Sequence, residues 1–218
     1  MSVRNRCLLL ATALIGYGVL WLGWVRQWPW LTAMDTSLLA TGYRYGAASP
    51  NWARGWQLYC DVFGPWTFQL VAIVIAVVAL VRRQRRPAIF LLVCVVLEGL
   101  VTEAAKDIAQ RHRPLTALAY EPSWSFPSGH ALGTIVGLLG LTAAGLALAP
   151  AWRRSIRIVA GVGVVVVVLV GVGRVALNVH YPSDVLAGWL LGGAWFLATW
   201  PILPIRVGRA TSTVEDCV

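Results

Sequence analysis

Residues Ile156–Leu177 read IRIVAGVGVVVVVLVGVGRVAL. The only charges in this run, Arg157 and Arg174, stand near its two ends. About 20 apolar residues suffice to cross the hydrocarbon core of a bilayer as a helix, and this run has that length. Its Gly161-Val-Gly163 opening is not a dinucleotide fingerprint, because the third glycine and a strand–turn–helix context are both missing. Working outward, five further apolar runs have the same character: about Cys7–Val25, Phe63–Val81, Ala88–Lys106, Ser128–Ala149 and Asp184–Leu203.

The bulk composition agrees. Of 218 residues, 58% are apolar and 12% charged, about half the charge of a soluble domain. Mean hydropathy is +0.70. A soluble surface cannot be built from so few charges, and a disordered chain would be poor in apolar residues. Six spanning helices take roughly 120 residues and leave short loops. The expected fold is all-α: an integral membrane bundle of six transmembrane helices forming one membrane-embedded domain over 1–218. Arg4 and Arg6 before the first run resemble a signal peptide. However, Trp21, Trp24 and Val25 fill the region where small cleavage-site residues belong, so the run is read as an uncleaved span.

The net charge of +9 comes from 17 Arg and one Lys against nine acids. Arginines cluster between the runs, which is a topology signal at an anionic membrane surface and argues against nucleic-acid binding. Arg4, Arg6, Arg82, Arg83, Arg85, Arg86, Arg153, Arg154, Arg157, Arg206 and Arg209 fall on one side. Arg26, Arg44, Arg54, Lys106, Arg111, Arg113 and Arg174 fall on the other. The positive-inside rule then puts both termini in the cytoplasm. The Arg-rich, Lys-poor usage suggests a GC-rich bacterial genome, and the expected location is a bacterial cell membrane.

The first outer loop, about Arg26–Val62, is the longest. Trp52, Trp56, Tyr59 and Phe63 recur at helical spacing, which predicts a helix lying in the membrane interface. An anchor is its simpler use; a lid over a lipid substrate is the alternative. Gly133-x-x-x-Gly137 and Gly188-x-x-x-Gly192 predict close helix packing within the bundle rather than a dimer interface. Cys7, Cys60, Cys94 and Cys217 fit neither a zinc site nor a disulfide framework.

Three polar clusters stand out, and all map to the outer side. They are Lys106-x6-Arg113-Pro114, Pro127-Ser128-Gly129-His130 and Arg174-x5-His180-x3-Asp184. Charges near a bilayer are expensive and point to function. Lys106, Arg113 and Arg174 supply three cations suited to phosphate oxygens. Ser128 and Gly129 open a helix after a proline, aiming free N–H groups and the helix dipole at an anion. His130 and His180 act near neutral pH. Asp184, four residues after His180, can fix one imidazole nitrogen and leave the other free to attack. The histidine pair lacks the carboxylate-rich partners of a metal site, so no metal or cofactor is expected. Arg111, His112 and Glu121 are read as loop residues, with Arg111 adding to the positive field. Glu103 is expected to pair with Lys106, and Glu98, deeper in its run, needs a partner within the bundle.

These clusters resemble the signature of the phosphatidic acid phosphatase type 2 superfamily, Lys-x6-Arg-Pro, Pro-Ser-Gly-His and Ser-Arg-x5-His-x3-Asp. Ten specified residues match in order and spacing across 106–184. One departs: Gly173 stands where the family has Ser, which removes a hydroxyl expected to contact phosphate or a neighbouring side chain. The resemblance implies that His180 is the nucleophile, that Asp184 orients it, and that His130 serves as acid and then base. Lys106, Arg113, Arg174, Ser128 and the Gly129 N–H would hold the phosphoryl oxygens. It implies a metal-independent lipid phosphatase at the outer face, acting on a polyprenyl diphosphate, phosphatidic acid or a phosphatidylglycerol phosphate. A lipid phosphotransferase, or a non-enzymatic transporter of anionic headgroups, is the alternative.

Overall fold

The structure, a computed structural model, describes residues 2–203; Arg206, Arg209 and Cys217 lie outside them. Nine α-helices occur among the described residues, with no strand. They are α1 (Val3–Val25), α2 (Pro29–Ala48), α3 (Pro50–Val62), α4 (Pro65–Val81), α5 (Arg85–Leu91), α6 (Glu98–Ala109), α7 (Gly129–Leu148), α8 (Arg153–Ala176) and α9 (Pro182–Thr199). Proline opens α2, α3, α4 and α9, where its missing N–H costs nothing and its fixed φ suits a first turn.

Six stretches are long and apolar enough to cross a membrane: Val3–Val25, Pro50–Val81, Arg85–Ala109, Gly129–Leu148, Pro150–Ala176 and Pro182–Ile202. The protein is therefore an all-α integral membrane bundle of six spans, as the composition requires. The third span joins α5 to α6 through a π-helical turn at Leu92–Val96. The second starts earlier than the apolar run suggests, because α3 leads into α4 with only a break at Phe63–Gly64. Pro65 cannot donate to the helix ladder there.

At the centre, α7 packs against α4, α8 and α9, and α1 packs on α9. Small residues make the close approaches. Gly133 and Gly137 face Pro65 and Phe68 of α4, while Gly188 and Gly192 face the backbone of α7. Both glycine pairs thus serve packing within the bundle. In lipid, where no hydrophobic force drives helices together, such backbone proximity supplies van der Waals contact. A core of Phe90, Leu91, Val95, Leu132, Val136 and Phe196 fills the half away from the clusters. Glu98 finds its bundle partners there, accepting from Gln69 Nε2 and Thr102 Oγ1, both at 3.0 Å.

The first outer loop departs from expectation. It holds two helices rather than one, and the aromatic stripe belongs to the second. Trp52, Trp56, Tyr59 and the C-cap Phe63 meet in succession along α3, the first two pairs edge-on and the last tilted, and α3 packs against α8. Cys60 is fully buried, with its thiol 3.8 Å from the Val170 carbonyl. The helix α2 carries no comparable stripe. It reaches the α8–α9 junction, with Gly42 against Asn178 and Asp35 against Ser183.

Candidate active site

The C-terminus of α6, the N-termini of α7 and α9 and the C-terminus of α8 meet at one end of the bundle. That geometry brings Lys106, Ser128, Gly129, His130, Arg174, His180 and Asp184 together, and the loop from Gln110 to Pro127 adds Arg113. Burial is deep: Ser128, Arg174 and Asp184 are fully enclosed and His180 nearly so. Buried polar groups must be paired or they cost several kcal/mol, so each partner is informative.

His180 lies between an acceptor and a donor. Its Nδ1 is 2.8 Å from the Ser125 carbonyl, and its Nε2 is 3.1 Å from Arg113 Nη1. A carbonyl only accepts and a guanidinium only donates. The proton therefore sits on Nδ1, and the Nε2 lone pair faces the cations. Burial, then Arg113 and Arg174, hold the His180 imidazole well below the usual histidine range, so it is neutral at pH 7.

Asp184 is placed beside His180 but does not dominate it. Its Oδ2 is 3.5 Å from Nδ1, longer than the bond to the Ser125 carbonyl. The same oxygen accepts the Ser125 hydroxyl at 2.5 Å and the Tyr181 N–H at 2.9 Å. Oδ1 receives Arg111 Nη1 at 2.6 Å. Ser125 thus joins the two side chains, its carbonyl on His180 and its hydroxyl on Asp184.

The cations differ in how completely they are paired. Lys106 Nζ donates to Glu103 and to Ser123 Oγ, both at 2.9 Å; the i,i+3 partner is the one its spacing suggests. Arg113 donates to the Ser123 and Val179 carbonyls at 2.8 and 2.6 Å. Burial pushes the pKa of its guanidinium below the usual arginine range, opposed by Glu121 and reinforced by Arg174. Arg174 is fully buried, yet among the described residues only its Nη2 is bonded, to Glu121 Oε1; Nε and Nη1 have no partner there. Enclosed guanidinium donors without an acceptor are suited to an anion.

Ser128 caps α7, its hydroxyl 3.5 Å from the Ala131 N–H, while its own N–H bonds the Asp184 carbonyl at 2.9 Å. A side chain on Gly129 would press on Thr102 at 3.1 Å and approach Lys106 Nζ at 3.6 Å. His130 is half-buried, with its ring against Gly64 at the α3–α4 break. A cavity of about 410 Å³ opens beside Arg113, Glu121, Ser123 and Trp124.

At Gly173 the surroundings fit the second of the two expected contacts, a neighbouring side chain. A Cβ there would lie 2.7 Å from Cys60 Sγ and 2.8 Å from the Trp56 ring. The position faces α3, so a serine would meet these side chains rather than a phosphate. Arg111 and Glu121 also exceed the role their loop positions suggest. Arg111 is buried, with ion pairs to Asp35 and Asp184, and Glu121 holds Arg174. Ser125, Ser123 and Asp35 carry no sequence signal beyond their polarity, because their partners lie on other elements.

Comparisons with known proteins bear on this site. The family model described as PAP2 superfamily matches residues 87–207. An undecaprenyl-diphosphatase of Sulfolobus acidocaldarius is 33% identical over 126 residues, covering 55% of this chain and 56% of that one. Phosphatidylglycerophosphatase B of Bacillus subtilis is 34% identical over 99 residues, covering 44% and 47%. A lipid A 1-phosphatase of Rhizobium etli is 32% identical over 138 residues, covering 58% and 54%. The chain thus spans about half the length of the curated relatives it matches. The crystal structure of a transmembrane PAP2-type phosphatidylglycerolphosphate phosphatase from Bacillus subtilis superposes with a TM-score of 0.75 at 24% identity. It covers 88% of this chain and 94% of that one, a likeness of fold.

Proposed function

The chain belongs to the PAP2 superfamily, and from that premise we propose that it is a metal-independent lipid phosphatase working through a phosphohistidine. The observation that carries the reading is Arg174, fully buried with Nε and Nη1 unpaired among the described residues, beside a His180 whose Nε2 lone pair is unprotonated. An anionic phosphoryl group satisfies those donors and meets that lone pair.

His180 Nε2 attacks phosphorus, and the bond from phosphorus to the lipid oxygen breaks. His130, carrying a proton, gives it to the departing oxygen. The Nδ1 proton stays on His180, held by the Ser125 carbonyl with Asp184 nearby, and these groups favour the positive charge that builds on the ring. Lys106, Arg113, Arg174, Ser128 and the Gly129 N–H hold the phosphoryl oxygens in line; catalysis of this kind is mostly positioning and electrostatics. In the second step His130 takes a proton from water, the hydroxide attacks phosphorus, and the P–N bond breaks. Inorganic phosphate leaves and both histidines return to their starting forms.

The substrate is a phosphate or diphosphate monoester whose headgroup sits at the membrane surface. A polyprenyl diphosphate, phosphatidic acid and a phosphatidylglycerol phosphate all meet that description, and relatives named for activity on lipids of this kind favour this class. The site lies opposite the loops that carry Arg82–Arg86 and Arg153–Arg157, which under the positive-inside rule supports an outer-face site. Phosphate release in detergent with chelator, from a polyprenyl diphosphate and from phosphatidic acid, tests the chemistry. Release that survives chelation and vanishes in His180→Ala is expected. Transfer of the group to a second lipid instead of water would make the protein a phosphotransferase, and no turnover with tight headgroup binding would overturn the enzymatic reading.

A further inference from the structure

Apart from the proposed phosphate-holding groups lies a second charged cluster. The Arg111 guanidinium joins two carboxylates: Nη1 reaches Asp184 Oδ1 at 2.6 Å, and Nη2 reaches Asp35 Oδ2 at 2.8 Å. Nη1 also meets Ser183 Oγ at 2.7 Å. The guanidinium carbon stacks 3.8 Å from the centre of the Tyr181 ring, with Trp24 on it at 5.4 Å. Asp35 in turn accepts the Ser183 N–H at 2.9 Å and its hydroxyl at 2.7 Å. The Arg111 carbonyl receives the Ser125 N–H at 2.8 Å. Asp35, Arg111, Ser183 and Asp184 are all buried.

Each contact has a direction. Arg111 holds Asp184 by its side chain and Ser125 by its backbone, and those two residues carry the Nδ1 side of His180. Asp35 holds Arg111 and pins the first turn of α9, from which Asp184 projects. A lone buried Arg111–Asp184 pair would be neutral; adding Asp35 leaves one net negative charge behind the histidine. That charge lies on the Nδ1 side of His180 and is best matched when the imidazole ring becomes positive during attack. Asp35 lies on α2, outside the residues 87–207 that carry the family match.

We propose that Asp35 and Arg111 are positioning residues for the reaction: through Asp184 and Ser125 they fix the His180 ring and supply the negative charge that its phosphorylated form needs. The inference rests on the phosphohistidine reading above. Neither residue touches the phosphate, so their removal acts on turnover rather than on binding.

The test uses the full chain in detergent with phosphatidic acid. Asp35→Asn keeps the size of the side chain but removes its charge and one acceptor oxygen. It is expected to lower kcat about tenfold, a coupling of ordinary size for a network member, with KM within about twofold and thermal stability held. Asp35→Ala should lower kcat at least as much. Asp35→Asn combined with Arg111→Lys should be no worse than the poorer single variant, because the two act as one unit. Thr36→Ala, whose hydroxyl bonds only within α2, should match wild type. Wild-type kcat in Asp35→Asn, a change confined to KM, or a loss that disappears on normalising to folded protein overturns the proposal. His180→Ala is assayed alongside: retained turnover there sinks the phosphohistidine reading itself, whereas an inactive His180→Ala with normal Asp35→Asn sinks only this one.

Discussion

The two ends of the bundle use arginine in opposite ways. At one end, Arg85, Arg86, Arg153 and Arg157 line a cavity of about 600 Å³ and are exposed or only partly covered. None of them has a carboxylate partner among the described residues. At the other end, Arg111 and Arg174 are buried, Arg113 is largely covered, and all three meet named groups. The first set is exposed and, under the positive-inside rule, would work by its sum as an orientation signal toward an anionic surface. The second has lost its water, so every donor must find a fixed acceptor. Among the described residues, Nε and Nη1 of Arg174 are the exception to that requirement, and in the proposed reading a substrate phosphate pairs them.

Substitutions can break or sharpen this contrast. The largest effect belongs to His180→Ala, which should abolish turnover, read as phosphate release, while the protein still purifies as a folded species. Next, Arg113→Ala or Arg174→Ala should lower activity at least ~100-fold, the size of loss typical for one oxyanion contact; wild-type rates in either would dissolve the distinction between the two ends. Gly173→Ser should lower the melting temperature in detergent, since overpacking typically costs about 1–3 kcal/mol. Cys60→Ala should restore part of it by removing the sulfur that the new Cβ meets. Arg85→Gln and Arg153→Gln should leave turnover within about twofold; a deep loss would show that the exposed end also serves the chemistry.

Acidity separates the ends in a further way. The folded protein holds His180 neutral by burial and by Arg113 and Arg174. As pH falls through the ordinary histidine range, near 6.5, an unperturbed imidazole gains a proton and His180 does not. Nitrogen-15 spectra of labelled histidine should therefore show His180 as the Nδ1–H tautomer well below that pH. Protonation near 6.5 would contradict the closed, cation-lined site.

Much of this was legible before the structure. Lys106, Arg113, Ser128, Gly129, His130, Arg174, His180 and Asp184 are grouped in short segments at helix ends, and the six apolar runs determine which ends those are. The i,i+3 pair of Glu103 with Lys106 is local and was readable for the same reason. Asp35 was not legible, because its partner Ser183 lies 148 residues away. Arg111 stood two places before a motif residue, a hint of use but not of partner. Glu98 showed only that it needed one, and Gln69 of α4 is a tertiary answer. Trp56 and Phe63 announced a helix by their spacing, but not that Trp56 would take the space beside Gly173.

Sequence alone determined the class of molecule and its spans, because the cost of leaving apolar runs in water or charges in lipid is set by the residues themselves. It also determined the set of candidate reactive groups, since only certain side chains hold phosphate or attack it. Tertiary structure decided which nitrogen of His180 is free, which donors of Arg174 remain unpaired among the described residues, and that Arg111 lies between two carboxylates. Those outcomes depend on burial and on partners brought together from α2, α3, the loop before α7 and α9. Hydrogen bonding and desolvation act over a few ångströms in space, whatever the distance along the chain.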